Sequence, residues 1–219
     1  TINLTGANIW GYVMRSADNL IIGKYLGAES LGYYTIAYKI MIYPLQNIVD
    51  MVKRVLFPIL SRMQNDIEQS RKIYLNITYV VFLLVCPLML GVFAINEKLV
   101  LTLWGEEWES VITLIYFFAP LGILQSFIRM SGSILAANGK ANLLFYINMF
   151  NAIIIISAFF VGVNWGLLGI ATAYLIANLI VFYPSVKLPF RINSAEKTDS
   201  GEKASMQKAA TRVLAPRVK

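Results

Sequence analysis

Six apolar segments joined by short polar connections leave this chain few folds to choose from. They run over about residues 4–22, 32–60, 73–95, 111–137, 143–163 and 166–188. A helix rises about 1.5 Å per residue, so about 20 apolar residues cross the roughly 30 Å hydrocarbon core of a bilayer. The segments at 32–60 and 111–137 are longer and are expected to tilt or to project beyond it. A transmembrane β-barrel needs shorter segments of alternating polarity, and none are present. The expected fold is therefore all-α, a polytopic membrane bundle of six transmembrane helices within residues 1–190. A basic, aromatic-poor tail at 191–219 is expected to be disordered. Composition agrees: hydrophobic residues make up 58% and charged residues only 14%, against about 25% charged in a soluble domain.

The same composition removes most enzyme chemistry. The chain has no histidine, which eliminates Ser-His and Cys-His nucleophiles and His-ligated metals. Its one cysteine, Cys86, cannot form an internal disulfide or a thiolate metal cluster. There is no P-loop, no G-x-S-x-G turn and no carboxylate pair placed for glycoside chemistry. No catalytic residue, metal or cofactor is expected.

The net charge is +7, and its distribution matters more than its size. The connections after the second and fourth segments and the tail hold Arg62, Arg71, Lys72, Lys140, Arg191, Lys197, Lys203, Lys208, Arg212, Arg217 and Lys219. The opposite connections hold Lys24 and Lys98 against Glu29, Glu97, Glu106, Glu107 and Glu109. By the positive-inside rule the first set faces the cytoplasm, and with six spans both termini do too. The basic tail then reads as cytosolic and in contact with membrane lipid, and nucleic acid is not an expected partner. Trp104, Trp108 and Trp165 read as interfacial anchors.

Ionisable groups inside a membrane are costly and are candidates for function by default. The first segment carries Asn8, Gly11, Arg15 and Asp18 on one helical face, with Asn19 beside them. The second carries Thr35, Lys39, Tyr43, Gln46, Asp50 and Lys53 at spacings of three and four, flanked by Asn47 and Arg54, with Pro44 as an expected kink. The fourth carries Gly122, Gln125, Arg129 and Ser133, the fifth Asn148 and Asn151. The sixth shows Gly166, Gly169, Ala173 and Ala177, which suit close helix packing. These stripes are open to two readings: a polar seam with Arg15–Asp18 and Asp50–Arg54 as ion pairs, or a hydrated cavity. Arg15, Lys39, Lys53, Arg54 and Arg129 outnumber Asp18 and Asp50. That excess favours a cavity for an anion such as a phosphate or a sugar acid. The candidate cavity residues are Asn8, Arg15, Asp18, Asn19, Lys39, Gln46, Asp50, Lys53, Arg54, Gln125 and Arg129.

Four runs in this sequence resemble one known family. Residues 15–34 match the pattern R-x-A-D-N-x-x-I-G-x-x-L-G-x-x-x-L-G-Y-Y, and residues 57–66 resemble F-P-x-L-S-R-x-Q-x-D. Gly105-Glu106-Glu107-Trp108 is similar to a G-E-x-W loop, and Ala137-Asn138-Gly139-Lys140 to a small-x-G-K/R turn. Together they resemble the Wzx-like branch of the multidrug/oligosaccharidyl-lipid/polysaccharide (MOP) exporter superfamily, nearest its colanic-acid and teichuronic-acid exporter group. The likeness covers about residues 3–190.

That resemblance implies a flippase of two six-helix lobes, with this chain as the C-terminal lobe. Residue 1 is Thr and an apolar segment starts within a few residues of it, as expected of part of a longer protein. Either a missing N-terminal lobe or a second copy would complete the central cavity. The implied substrate is an undecaprenyl-pyrophosphate-linked glycan. It would be moved across the bacterial cytoplasmic (inner) membrane by alternating access, with coupling to a proton or sodium gradient open. Two alternatives stand beside this: a drug/cation antiporter on the same fold, and a non-transport scaffold for polysaccharide assembly.

Overall fold

A computed structural model of the chain describes residues 16–63, 67–137 and 141–185. The described residues are helical almost throughout: α1 (residues 16–25), α2 (Gly27–Arg62), α3 (Ile67–Leu103), α4 (Glu109–Ala137), α5 (Ala141–Gly162) and α6 (residues 166–185). Single 3₁₀ turns at Glu106–Trp108 and Val163–Trp165 precede α4 and α6. Asn8, Arg15, the Asn138-Gly139-Lys140 turn, Lys187 and the tail 191–219 lie outside the described residues.

Among the described residues, three stretches are long and apolar enough to cross a membrane by length and composition: Glu68–Leu103, Glu106–Ser133 and Asn142–Ser185. The last is two helices. At Gly166 the backbone takes φ +69°, a region open to glycine, and α6 folds back on α5. Phe159 packs on Tyr174 with ring centroids 5.2 Å apart, and Asn151 Nδ2 donates to Ser185 Oγ at 3.2 Å. The two arms therefore run antiparallel. Near the turn Gly162 and Gly169 approach backbone to backbone, and a Cβ on Gly162 would stand 2.6 Å from the Gly169 carbonyl oxygen.

Cross-helix contacts fix the other directions. Met89 of α3 meets Gly122 of α4, Phe82 meets Phe127 and Phe93 meets Tyr116, so α3 and α4 are antiparallel. Tyr33 and Tyr34 of α2 lie against Trp108 and Phe118, so α2 runs parallel to α4. α4 is the central element, packed chiefly against α2 and α3. α2 turns Tyr34, Ala37, Met41, Leu45, Val49, Leu56 and Leu60 inward, the three- and four-residue spacing of a buried helical face.

The helices depart from the expected segment boundaries at two points. The expected connection at 23–31 is a break at Leu26 alone, with Gly27 at φ +86°. The third segment was expected to end near residue 95, but α3 continues to Leu103. α2 is helical on both sides of Pro44 and also contains Pro58. Trp108 was expected as an interfacial anchor; it packs edge-on against Tyr33 at 5.4 Å, and the Tyr33 hydroxyl donates to the Glu107 carbonyl at 3.1 Å. The start of α2 is thereby tied to the α3–α4 connection. Trp165 is 71% exposed.

Candidate functional site

The polar groups of five helices converge toward the end of the bundle where α2 and α4 finish. A cavity of about 390 Å³ is lined by Asp18 from α1, Tyr38 from α2, Gln125 and Arg129 from α4, Asn148 and Asn151 from α5, and Tyr174 and Asn178 from α6. Beside it, a cavity of about 540 Å³ is lined by Lys53, Arg54 and Phe57 of α2, Arg129, Gly132 and Ser133 of α4, and Leu144 and Asn148 of α5. Ile128, Arg129 and Asn148 line both, so the two are neighbours across the Arg129 side chain.

Hydrogen bonds set the inner cavity. Gln125 Nε2 donates to the Tyr174 hydroxyl at 2.7 Å across α4 and α6. Asn178 Nδ2 donates to the Tyr174 carbonyl at 2.9 Å. The Tyr34 hydroxyl donates to Asp18 Oδ2 at 3.1 Å, and the Asn19 backbone N–H donates to Asp18 Oδ1 at 2.8 Å. Tyr38 lies close to both Arg129 and Tyr174. Gln125 Oε1 and Asn151 Oδ1, on two residues of this lining, are buried and have no donor among the described residues.

The sequence candidates divide. Asp18, Gln125 and Arg129 meet in the inner cavity, and Lys53, Arg54 and Arg129 in the outer one. Lys39, Asp50 and Asn19 are exposed and Gln46 half-buried, and none of the four lines either cavity. The polar stripe of α2 is therefore mostly an outer face, opposite the buried stripe. The anticipated Asp50–Arg54 ion pair does not form among the described residues, where an exposed Lys72–Glu68 pair at 3.1 Å is found instead. Asn8 and Arg15, with the Arg15–Asp18 pair, lie outside the described residues. No group of three or more Cys, Asp or Glu able to hold a metal occurs among the described residues.

Tyr34, Tyr38, Tyr174 and Asn178 were missed. One signal was available: Tyr174, Asn178 and Ser185 follow at spacings of four and seven, a polar line on α6. Tyr174→Phe tests the network. Interhelical hydrogen bonds in membranes average about 0.6 kcal/mol and reach about 1.7. Losing this one leaves the Gln125 amide without a partner at either end among the described residues, so the upper range applies, about 1–2 kcal/mol. The expected result is a thermal midpoint lower by about 2–6 °C for the purified protein. An unchanged midpoint would show that the Gln125–Tyr174 bond is not formed.

Comparison with known proteins follows the same line. The family described as "Polysaccharide biosynthesis protein" matches residues 1–113. The chain is similar to the teichuronic acid biosynthesis protein TuaB of Bacillus subtilis (strain 168), at 32% identity over 83% of this chain and 36% of that protein. It is similar to the lipopolysaccharide biosynthesis protein WzxC of Escherichia coli (strain K12), at 28% identity over 81% of this chain and 36% of that one. It also resembles the succinoglycan biosynthesis transport protein ExoT of Rhizobium meliloti (strain 1021), at 28% identity over 57% of this chain. The chain thus spans about a third of the length of TuaB and WzxC. Its fold matches a solved multidrug resistance MATE family transporter of the MOP superfamily in its outward-facing conformation. The TM-score is 0.71 and the identity 15%, over 85% of this chain and 43% of that one.

Proposed function

This chain belongs to the polysaccharide biosynthesis protein family, a family of multi-pass membrane proteins, and from that premise we propose that it forms one lobe of a flippase for lipid-linked polysaccharide repeat units. The observation that carries the reading is the grouping of Lys53, Arg54 and Arg129 around one cavity with no carboxylate among its described lining residues. Such a site suits a phosphate or pyrophosphate, because guanidinium and ammonium groups donate charge-assisted hydrogen bonds and an acidic counter-group would compete. A cavity for cationic drugs would need the opposite sign, and the likeness to a multidrug transporter carries the fold alone.

The substrate in this proposal is an undecaprenyl-pyrophosphate-linked glycan whose polar head enters the cavity while its lipid tail stays in the bilayer. The membrane is the bacterial cytoplasmic membrane, with the ends of α2 and α4 toward the cytoplasm on the strength of the basic connections there. The exposed face of α2, with Lys39, Asp50 and Arg54, is where a second lobe or second copy would complete the cavity. Rocking of the lobes would then expose the site to each side in turn. Coupling to a proton or sodium gradient belongs to the same proposal, with Asp18 as the carboxylate that lines the inner cavity.

Deletion of the gene tests this. Surface polysaccharide should fall to background, while labelled lipid-linked repeat units accumulate on the cytoplasmic leaflet. Normal surface polymer, or loss of polymer with the repeat units already on the outer leaflet, would refute the flippase reading. The second outcome would point to a scaffold for later assembly.

A further inference from the structure

We propose that Tyr38 is the positioning residue for Arg129: a neutral hydroxyl on a ring locked by its neighbours fixes the guanidinium between the two cavities and leaves its charge free for an anion. The proposal rests on the flippase reading and deepens it by naming what sets the geometry of the anion site.

Arg129 is held by a neutral group. Among the described residues no carboxylate forms an ion pair with it. Its side chain is hydrogen-bonded to Tyr38 of α2 instead. Asp18 lines the same cavity, but its oxygens accept from the Tyr34 hydroxyl and the Asn19 backbone N–H. A guanidinium has only donors, so the bond to Tyr38 runs from Arg129 to the tyrosine oxygen. That oxygen orients the guanidinium without cancelling its charge, whereas a paired carboxylate would compete with an anionic ligand.

An anchor is needed because Arg129 has a like charge beside it. Lys53 lines the outer cavity with Arg129 and lies near enough to feel its charge. Like charges around one cavity repel. A long side chain left free would turn away, and an arriving anion would have to order it at a cost in affinity.

Tyr38 is itself rigid. Its ring stacks on Tyr34, one turn earlier on α2, with centroids 5.8 Å apart and planes 10° apart. It meets Phe118 of α4 edge-on at 6.3 Å. Tyr34 is edge-on to Phe118 and to Phe159 of α5 in turn. The Tyr38 hydroxyl is also bonded to Tyr174 of α6, whose hydroxyl accepts from Gln125 Nε2 at 2.7 Å. The anchor is thus tied to α2, α4 and α6 at once. Tyr38→Phe removes the hydroxyl and keeps the stacked ring, so it separates holding Arg129 from filling space.

The test measures pyrophosphate affinity of the purified full-length protein in phosphatidylcholine nanodiscs, from the ligand-dependent rise in thermal midpoint at constant ionic strength. Four forms make a cycle: the unmodified protein, Tyr38→Phe, Arg129→Gln and the double variant. Tyr38→Phe is expected to weaken pyrophosphate about tenfold. In the Arg129→Gln background the same change should weaken it less than about twofold, because no charge is left to position. A role in packing alone would lower the ligand-free midpoint and leave the affinity unmoved. If Tyr38→Phe does not fold, Tyr174→Phe carries the test: it releases the Tyr38 hydroxyl on one side and should weaken pyrophosphate about threefold, again only with Arg129 present. An unchanged affinity in Tyr38→Phe, or the same loss with and without Arg129, would overturn the proposal and leave the anion site and the flippase reading standing. No protection of the unmodified protein by pyrophosphate would remove the anion site and both readings with it.

Discussion

Arg129→Gln is expected to lower polysaccharide export about ten- to a hundredfold while the protein still accumulates in the membrane. Arg129 is the cation that lines both cavities and lies close to Tyr38. A hydrogen bond to a charged group contributes about 1.5–3 kcal/mol, which is about one to two decades in rate or affinity. Glutamine keeps donors and approximate length, so the loss isolates the charge. Arg129→Lys keeps the charge and loses the planar fork, and should fall between the two. The check is surface polymer per unit of membrane-inserted protein, with insertion read by a blot of the membrane fraction. Export at the unmodified level in the Gln variant would remove Arg129 from the substrate path.

The second large effect is structural. Gly169→Val should abolish most of the folded yield. A Cβ at position 169 would collide with the Gly162 carbonyl oxygen and stand 2.6 Å from the Trp165 Cβ. Overpacking ordinarily costs about 1–3 kcal/mol because side chains can move aside. Here the obstacle is backbone, so the hairpin of α5 and α6 must open, and with it the Asn151–Ser185 bond and the wall of the inner cavity. Gly122→Ala is the control. Its Cβ would meet Met89 Sδ at 2.8 Å and Met41 Cγ at 3.0 Å. Methionine is flexible enough to yield, so about 1 kcal/mol or less is expected. The measurement is the monodisperse fraction on size exclusion in detergent. Equal yields from the two variants would contradict the close approach of α5 and α6.

The break between α5 and α6 was readable from Asn164-Trp165, because a polar pair between two apolar runs marks a turn and Gly166 permits the φ it needs. The end of α3 was not. Hydropathy falls at Asn96-Glu97-Lys98, yet the helix runs to Leu103, because hydropathy reports an apolar boundary and the backbone hydrogen bonds that define a helix continue past it. The candidate site was half legible for a related reason. Charged residues stand out in an apolar segment, so Asp18, Lys53, Arg54 and Arg129 were found. Tyr34, Tyr38 and Tyr174 score as apolar or neutral and were passed over, although their hydroxyls join the cavity network.

What the sequence determined by itself was the class of the chain. That is a local property: an apolar segment in a bilayer must satisfy its own backbone, which makes it helical. Only the tertiary structure decided which polar faces meet. Gln125 and Tyr174 are 49 residues apart and Asn151 and Ser185 are 34 apart, yet both pairs bond, while Lys39 and Asp50 on the conspicuous stripe of α2 stay exposed. The physical reason is rotation about the helix axis. Spacing fixes which residues share a face, but the face that turns inward is set by how α2, α3, α4, α5 and α6 interlock through Met41, Met89 and the Gly162–Gly169 contact.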